Sequence, residues 1–589
     1  MASKLSAAVR LFVRLAPILL GWPHPSAAAP FRQQAACVTE RISLGPGGIQ
    51  ANASSFSVPG GGMFSADGRW VAFWSQAANL VPGDVNMWPD VFVRDRWSQE
   101  TILVSVSDQG DQGNGISGGP TISFDGRLVA YQSSAQNLVP NDTNGEDDIF
   151  VRDRWLGTTE RVSISSSGQE GNHDSWEARI CGNGRFVAFW SRASNLVAND
   201  MNGRPDIFRH DRQGGQTVRV NISSNGDEAN GNSYYCSVSA DGRFVAFESW
   251  ATNLVPGDTN GTIDVFVHDT QTGLTSRVSV ASGGRQGNFG GSDPAISGEG
   301  RYVAFQSSSN DLVPGDTNNK PDIFVHDRQT LQTVRVNIGP GGVQANSDSV
   351  QPSISADGRH VAFQSSATNL VPGGSSGIQV FVHDLATATT TLVSASASGS
   401  TGNAASYRGA VSPDGKAVAF ESYATNLVPG DTNGWKDVFV RDCAGALLPR
   451  IYCAAKTNSL GCTPAIGSSG VPSASLGSGF FVAATSVLSQ KPGLLLYSLS
   501  GSSMIPFQNG WLCAQPPLQR TPLQISGGNL PTDCSGVYQF DFNAWIASGT
   551  DPALAAGISV WSQYWSRDPG LVTPDATGLT DALAFTVGP

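Results

Sequence analysis

The chain has 589 residues, more than a single hydrophobic core uses. It is 40% hydrophobic and only 14% charged, and its 68 glycines fall between short apolar runs, as tight turns do and disorder does not. A formal net charge of −12 argues against a nucleic-acid partner, which needs a basic face for phosphate.

In chain order, residues 1–29 read as an export signal. Lys4, Arg10 and Arg14 carry positive charge, an apolar stretch covers 15–22, and the small residues 26–29 follow. That stretch is too short to cross a bilayer, and no other run approaches about 18 apolar residues, so no transmembrane segment is expected. All eight cysteines lie beyond the signal. An even count in an exported chain favours disulfides over catalytic thiols or zinc.

A repeat then takes over. Asp-Gly-Arg, or a near copy, begins at Asp67, Asp125, Asn183, Asp241, Glu299, Asp357 and Asp414, at intervals of 58 residues and, at the last step, 57. Each unit reads as a short strand (352–355), an Asp-Gly turn expected to be a two-residue hairpin, and a second strand (243–247). A polar loop (251–261), a third strand (264–269) and a fourth (276–280) complete it. Phe244 and Ala246 point to one face of their strand, Val245 and Phe247 to the other. Both faces are apolar, so both must be covered. Four antiparallel strands repeated seven times predict a seven-bladed β-propeller, in which each blade lies between two others.

The blocks Ser-Ala-Asp-Gly-Arg-x-Val-Ala-Phe and Asp-x-Phe-Val-x-Asp resemble the TolB-type, WD40-like propeller repeat of bacterial envelope and secreted proteins, over residues 39–442. The resemblance implies that the strand before Asp-Gly is innermost and the Arg-Val-Ser-Val strand outermost. On that order the last blade lacks an outer strand after 438–442, and a spare copy stands at 39–43. The N-terminal strand is therefore expected to close the ring, bringing Cys37 beside Cys443 as a disulfide.

The repeat stops at Asp442. Short strand-like runs at 480–484, 494–497 and 537–542 predict a β-sandwich-like domain over 451–589, after a propeller over 37–445. This region resembles an uncharacterised C-terminal domain of large secreted bacterial proteins, through Cys453, the segments 458–462 and 565–570, and the last strand at 579–589. Cys453–Cys462 and Cys513–Cys534 are the simplest pairings, although sequence does not fix connectivity. Cys181 and Cys236 are expected to be free and buried.

Asp-Thr-Asn-Gly-x-x-Asp is the sharpest polar motif. It stands at Asp142, Asn144 and Asp148; at Asp258, Asn260 and Asp264; at Asp316, Asn318 and Asp322; and at Asp431, Asn433 and Asp437. Looser versions occur at Asp84, Asn86 and Asp90 and at Asp200, Asn202 and Asp206, while blade six has Gly374, Ser376 and Gln379. Calcium is one reading, but an EF-hand's third early ligand and its bidentate Glu are absent. The other is an Asx-turn, which the six-fold recurrence favours. His210, His268, His326 and His383 occupy one repeat position, where Arg94, Arg152 and Arg441 stand in other blades. That exchange predicts an exposed strand end rather than a ligand or base.

No Walker loop, zinc helix or Cys-x-x-Cys is present. The Gly-x-Ser-x-Gly spellings at 115–119 and 373–377 and the Gly-x-Gly-x-x-Gly at 113–118 fall in Gly- and Ser-rich stretches of the repeat, without the strand–turn–helix setting of a nucleophile elbow or a dinucleotide fingerprint. The loops leading into the inner strands break the repeat most, at Asp174, Trp176 and Glu177; Tyr234 and Tyr235; Phe289 and Asp293; and Tyr407 and Arg408. Variable loops on a rigid scaffold are where binding sits. The expectation is a non-catalytic binding or scaffold protein, secreted, periplasmic or on the cell surface, that contacts a protein, peptide or glycan at the envelope. The alternative is a carbohydrate-active enzyme or lectin on the same face, signalled by a carboxylate pair at the channel mouth. A plugged channel would indicate a purely structural role.

Overall fold

The computed structural model describes residues 37–443, 450–452, 455–470, 472–500, 502–507, 510–529, 533–555, 558–571 and 577–587. The export signal expected at 1–29 and Cys453 lie outside them.

Alternating apolar residues with Val, Phe and Ala at their centres form strands that bury both faces. Blade four shows the plan: inner strand Ser233–Val238, second strand Phe244–Ser249, third strand Asp264–Asp269 and outer strand Leu274–Arg277, each antiparallel to the next. Val245, Ala246 and Phe247 are fully buried. Val245 and Phe247 pack with Ala188, Ile207 and Val220 of blade three, so the hydrophobic core lies between blades rather than within them. Burying each such side chain contributes about 2 kcal/mol. Six further four-stranded sheets repeat the plan, giving a seven-bladed propeller.

The Asp-Gly-Arg signature has a two-part explanation. The turn is wider than a two-residue hairpin. Ser239 N–H donates to Phe244 O and Gly242 N–H to Ser239 O, and within the turn only Gly242 takes positive φ (79°). A Cβ on Gly242 would also run into the Phe186 ring of the preceding blade. Arg243 forms a forked ion pair with Asp269, which ends the third strand (Nε–Oδ1 2.8 Å, Nη2–Oδ2 2.6 Å). The same pair joins the two signature blocks in blades one to six.

Ring closure follows the strand order. Val38–Arg41 pairs antiparallel with Asp437–Asp442 as the outer strand of blade seven, in the register Val38↔Asp442 and Arg41↔Phe439. Cys37 and Cys443 form a disulfide across 406 residues. At the narrow end of the channel, backbone hydrogen bonds run from blade to blade: Ala66 to Phe124, Phe124 to Gly182, Ala240 to Gly298, Gly298 to Ala356 and Ala356 to Pro413 (2.8–2.9 Å).

The four repeat histidines are not at exposed strand ends. They are only 2–4% exposed, because their side chains face the gap between blades. His268 Nδ1 lies 2.9 Å from Thr275 Oγ1, and that hydroxyl donates to Ile222 O of the preceding blade at 2.5 Å. With its one proton given away, the threonine must accept from His Nδ1–H. Arg94, Arg152 and Arg441 donate to the equivalent threonines, so the His/Arg exchange preserves a buried donor.

In the C-terminal region two sheets pack as a sandwich, beside a two-stranded ribbon of Ser502–Phe507 and Gly510–Ala514. One joins Arg450–Tyr452, Thr577–Thr586, Ser559–Arg567, Pro492–Ser498 and Gln519–Arg520, and the other joins Ala465–Ser469, Phe481–Val487 and Gly536–Asp541. Ile466, Phe480, Val482, Tyr497, Val560, Tyr564 and Phe585 fill the space between them. Both expected local cysteine pairings are overturned. Cys462 bonds to Cys534, because the strands at Ala465 and Gly536 both start at one end of the three-stranded sheet, flanking Phe481–Val487. Cys513 is also disulfide-bonded, and Cys181 and Cys236 are free and buried. Among the described residues no helix is long and apolar enough to cross a membrane.

Two measurements check these interactions. Replacing Cys37 and Cys443 by Ser should cost several kcal/mol in chemical denaturation, with a chain-entropy ceiling of about 6 kcal/mol; an unchanged midpoint would refute a role in closure. Burial also lowers His210, His268, His326 and His383 from 6.5 to about 4. The unfolded chain thus takes up protons at higher pH than the folded one. Stability is full above about pH 6.5 and falls as pH drops towards 4, and a His268→Gln variant should show a shallower fall.

Candidate functional site

Each inner strand of blades two to seven breaks register at the same repeat position. The shifts fall between Gly118 and Thr121, Trp176 and Arg179, Tyr234 and Cys236, Ser292 and Ala295, Val350 and Ser353, and Tyr407 and Ala410. The bulged residues are Gly119, Glu177, Tyr235, Asp293, Gln351 and Arg408, all with φ between 38° and 60°. Five of the six are not glycine, so each holds a strained backbone. In four of the five the preceding blade holds it there: Gln132 Oε1 accepts from Glu177 N–H (3.0 Å), Glu248 Oε2 from Asp293 N–H (2.9 Å), Gln306 Oε1 from Gln351 N–H (2.9 Å) and Gln364 Oε1 from Arg408 N–H (2.9 Å). In blade one a longer segment through Gly60, Gly61 and Gly62 replaces the bulge, and Ser57 N–H is held by Glu421 (3.1 Å).

The bulges turn their side chains into the wide end of the channel. There Glu177, Tyr235, Asp293, Gln351 and Arg408 line a cavity of about 410 Å³ together with Arg179, Glu248, Gln132, Trp74 and Pro59. Four of the sequence-selected positions therefore converge. Arg179 forms the floor, donating from Nη2 to Pro59 O (3.0 Å) and from Nε to Cys236 O (3.2 Å). Below it a smaller space of about 90 Å³ is lined by Phe64, Ile122, Phe124, Ile296, Ile354 and Val411. The channel is thus strapped at mid-depth but open above, which does not fit a plugged structural barrel.

Three carboxylates share the upper cavity. Burial pushes Glu248 up to about 8, with the charges of Asp293 and Glu177 adding to the rise. Burial likewise pushes Glu177 to about 7, against the pull of Arg179 and Arg408, and raises Asp293. Tyr235 is raised chiefly by the Glu177 charge.

The remaining candidates stand elsewhere. Trp176 donates from Nε1 to Asp147 (2.7 Å) and lies 4.4 Å from the Trp190 ring, which Tyr234 meets edge-on. Phe289 is 56% exposed on a loop, and Tyr407 is half-buried opposite Glu421. Asp174 accepts from Asp147 N–H and, with Glu146 and His173, brings three possible metal-ligand atoms within 4.8 Å of one another on an outer loop. Arg179 and Glu248 were missed by sequence reasoning. The available signal was the repeat itself, since Thr121, Ser237, Ala295, Ser353 and Ala410 stand where Arg179 does, and Gln132, Gln306 and Gln364 stand where Glu248 does.

The Asp-Thr-Asn-Gly loops close as internal networks. Asn144 Nδ2 donates to Asp148 (3.0 Å) while its Oδ1 accepts from Glu146 N–H, an Asx-turn. Asn260 with Asp264, Asn318 with Asp322, and Asn433 with Asp437 do the same. A guanidinium stands between each pair of acids: Arg161 between Asp142 and Asp148 (both 3.1 Å), Arg277 between Asp258 and Asp264, Arg335 between Asp316 and Asp322, and Arg41 between Asp431 and Asp437. An arginine charge therefore occupies the position a calcium ion would need.

No protein-family model and no curated protein matches the chain. Among solved structures it is similar to the putative TolB from Agrobacterium tumefaciens, at 16% identity over 58% of this chain and 94% of that one, with a TM-score of 0.31. It is also similar to the β-propeller domain of the Trilobed protease from Pyrococcus furiosus (10% identity, 66% of this chain and 95% of that one, TM-score 0.39) and to a prolyl endopeptidase (12%, 74% and 55%, TM-score 0.39). These likenesses concern fold, and nothing about activity follows from them.

The arginine-filled loops make a direct prediction. Arg161→Leu leaves two buried carboxylates uncompensated and should cost roughly 3 kcal/mol in denaturation. Adding millimolar calcium should leave the wild-type melting temperature unchanged; a clear rise would restore the calcium reading.

Proposed function

We propose that this chain is an exported, non-catalytic binding protein whose wide channel mouth takes a protein or peptide segment at the cell envelope. The observation that carries the proposal is the ring of bulges. A scaffold that holds five non-glycine residues in strained conformations, four of them locked by the neighbouring blade, and turns them into one open cavity has the architecture of a preorganised site. Glu177 and Asp293 offer negative charge, Arg408 and Arg179 positive charge, and Tyr235 and Trp74 aromatic surface. A peptide presents all three complementary groups. The disulfides and the signal-like residues 1–29 support an oxidising compartment, periplasmic or extracellular. In this reading residues 37–445 form the binding module, and 451–589 a companion domain braced against it where Trp97 packs on Cys513 and Ala582.

One observation favours a second reading, a carbohydrate-active enzyme. Glu177 and Glu248 share the cavity with Asp293, and both are raised towards neutrality, as a general acid must be.

Selection of a displayed linear-peptide library on the immobilised full chain separates the two. Enriched peptides should lose about tenfold or more in affinity for a Glu177→Gln/Arg408→Ala double variant. Peptides that bind both forms equally would refute the cavity as the site. Release of reducing ends from an oligosaccharide panel, lost in Glu248→Gln, would favour the enzyme instead.

A further inference from the structure

Blades four and seven carry glutamate at the same repeat position on the second strand, Glu248 and Glu421, and the two are treated differently. Glu421 Oε2 accepts from Ser57 N–H of the next blade (3.1 Å), and its Oε1 meets Lys436 Nζ at 2.9 Å. The ammonium of Lys436 also sits 4.0 Å from the Phe56 ring centroid. Glu248 Oε2 likewise accepts from Asp293 N–H of the next blade (2.9 Å). Its Oε1, however, has no donor among the described residues and opens to the cavity, although the residue as a whole is only 5% exposed. The residue that corresponds to Lys436, immediately before the third strand, is Ile263. Blade seven thus contains the completed form of a pair that blade four leaves half-made.

The half-made pair faces the open cavity, and a second group there is also unmet: Glu177 Oε2 is buried with no hydrogen-bond partner. None of Glu177, Glu248 and Asp293 forms an ion pair among the described residues, and the nearby cations Arg179 and Arg408 are engaged with Pro59 and Cys236 carbonyls and with Glu421. A buried carboxylate without a cation is costly, and the protein has not replaced this one by an apolar side chain.

We infer that the cavity is a receptor for a primary ammonium group, a lysine side chain or a free peptide N-terminus, seated between Glu248, Glu177 and Asp293 as Lys436 is seated on Glu421. This rests on the binding reading above and specifies the chemistry of its ligand. Tyr235 flanks the site, where an aromatic ring favours a cation. Because burial holds Glu248 and Glu177 partly protonated near neutral pH, against the charges of Arg179 and Arg408 and beside Asp293 and Tyr235, seating an ammonium expels protons.

The test is calorimetric titration of the full chain with Nα-acetyl-lysine methylamide and with its Nε-acetylated, neutral counterpart, near pH 7.5 in buffers of different ionisation enthalpy. The charged probe should bind at least about tenfold more tightly than the neutral one and release protons, and Glu248→Gln should remove that preference. Ile263→Lys rebuilds the blade-seven pair inside blade four. It should abolish binding of the probe while raising or preserving the melting temperature, which also shows that the variant is folded. Equal binding of the two probes, or undiminished binding to Ile263→Lys, overturns the inference. If display-selected peptides lose affinity for the Glu177→Gln/Arg408→Ala variant but carry no free amine, the binding reading stands and the ammonium assignment falls. If the amine probe binds through Glu248 while no peptide engages the cavity, the ammonium site stands and the peptide reading falls.

Discussion

A four-stranded sheet that is apolar on both faces cannot stand alone in water, and everything else in this molecule follows from that constraint. Val245 and Phe247 of blade four are buried against blade three, and Ala246, on the other face, against blade five. The only arrangement that leaves no blade with a bare face is a closed ring. Closure must then be made by the chain ends, because the repeat is linear in sequence and circular in space. Lending the outer strand of blade seven from the N-terminus, and fixing it by Cys37–Cys443, joins the ends of the repeat.

Closure also explains how the site can carry strain. A non-glycine residue at positive φ costs of order 1 kcal/mol, and the bulge removes ladder hydrogen bonds as well. A free strand would slip register to recover them. Here the inner strand is held by its own second strand and by the side chain of the preceding blade, so that Gln132, Glu248, Gln306 and Gln364 offset the lost bonds at Glu177, Asp293, Gln351 and Arg408. These hydrogen bonds pass from one blade to the next, and the bulged residue is left free to present its side chain to the channel. That is why a near-exact repeat can hold acid, amide and arginine at one position without disturbing the blades; Gly119 and Tyr235 follow Trp74 and Trp190, which offer no such acceptor.

Most of the fold was legible because the 58-residue period ties each Asp-Gly-Arg to the aspartate that ends the third strand, and Arg243–Asp269 is that tie made physical. What stayed hidden depended on the gaps between blades. An exchange of histidine for arginine looks like a surface in one dimension. In three it marks a buried donor for a threonine hydroxyl, as His268–Thr275 and Arg152–Thr159 show. The C-terminal disulfide was misassigned for a related reason: local spacing favoured Cys453–Cys462, whereas the order of three strands brings Cys462 to Cys534. In the site, four of the six bulged residues, Glu177, Tyr235, Asp293 and Arg408, could be chosen by their variability, but Gln351, Arg179 and Glu248 could not be placed until the bulge was known to aim its neighbours at the channel.

Because the blades are near copies, each is a control for the others, and charge compensation is the quantity to compare. Asp142 and Asp148 are bridged by Arg161, and three other blades with the full motif keep the same acid–arginine–acid arrangement. Blade six has lost the acids and the arginine together, with Gln379 and Leu392 in their places, as expected if each is tolerable only with the other. Blade one keeps Asp84 and Asp90 but has Leu103 where the arginine should stand, and amides from Gln112 and Asn86 serve instead. The rule across the ring is that a buried carboxylate comes with its own partner. Glu421 obeys it through Lys436. Glu248, at the same position and also largely buried, does so only by half, and it is the one of the two that faces open space. In a protein built by repetition, the place where the repeat's own compensation is missing is where an outside group has room and reason to bind.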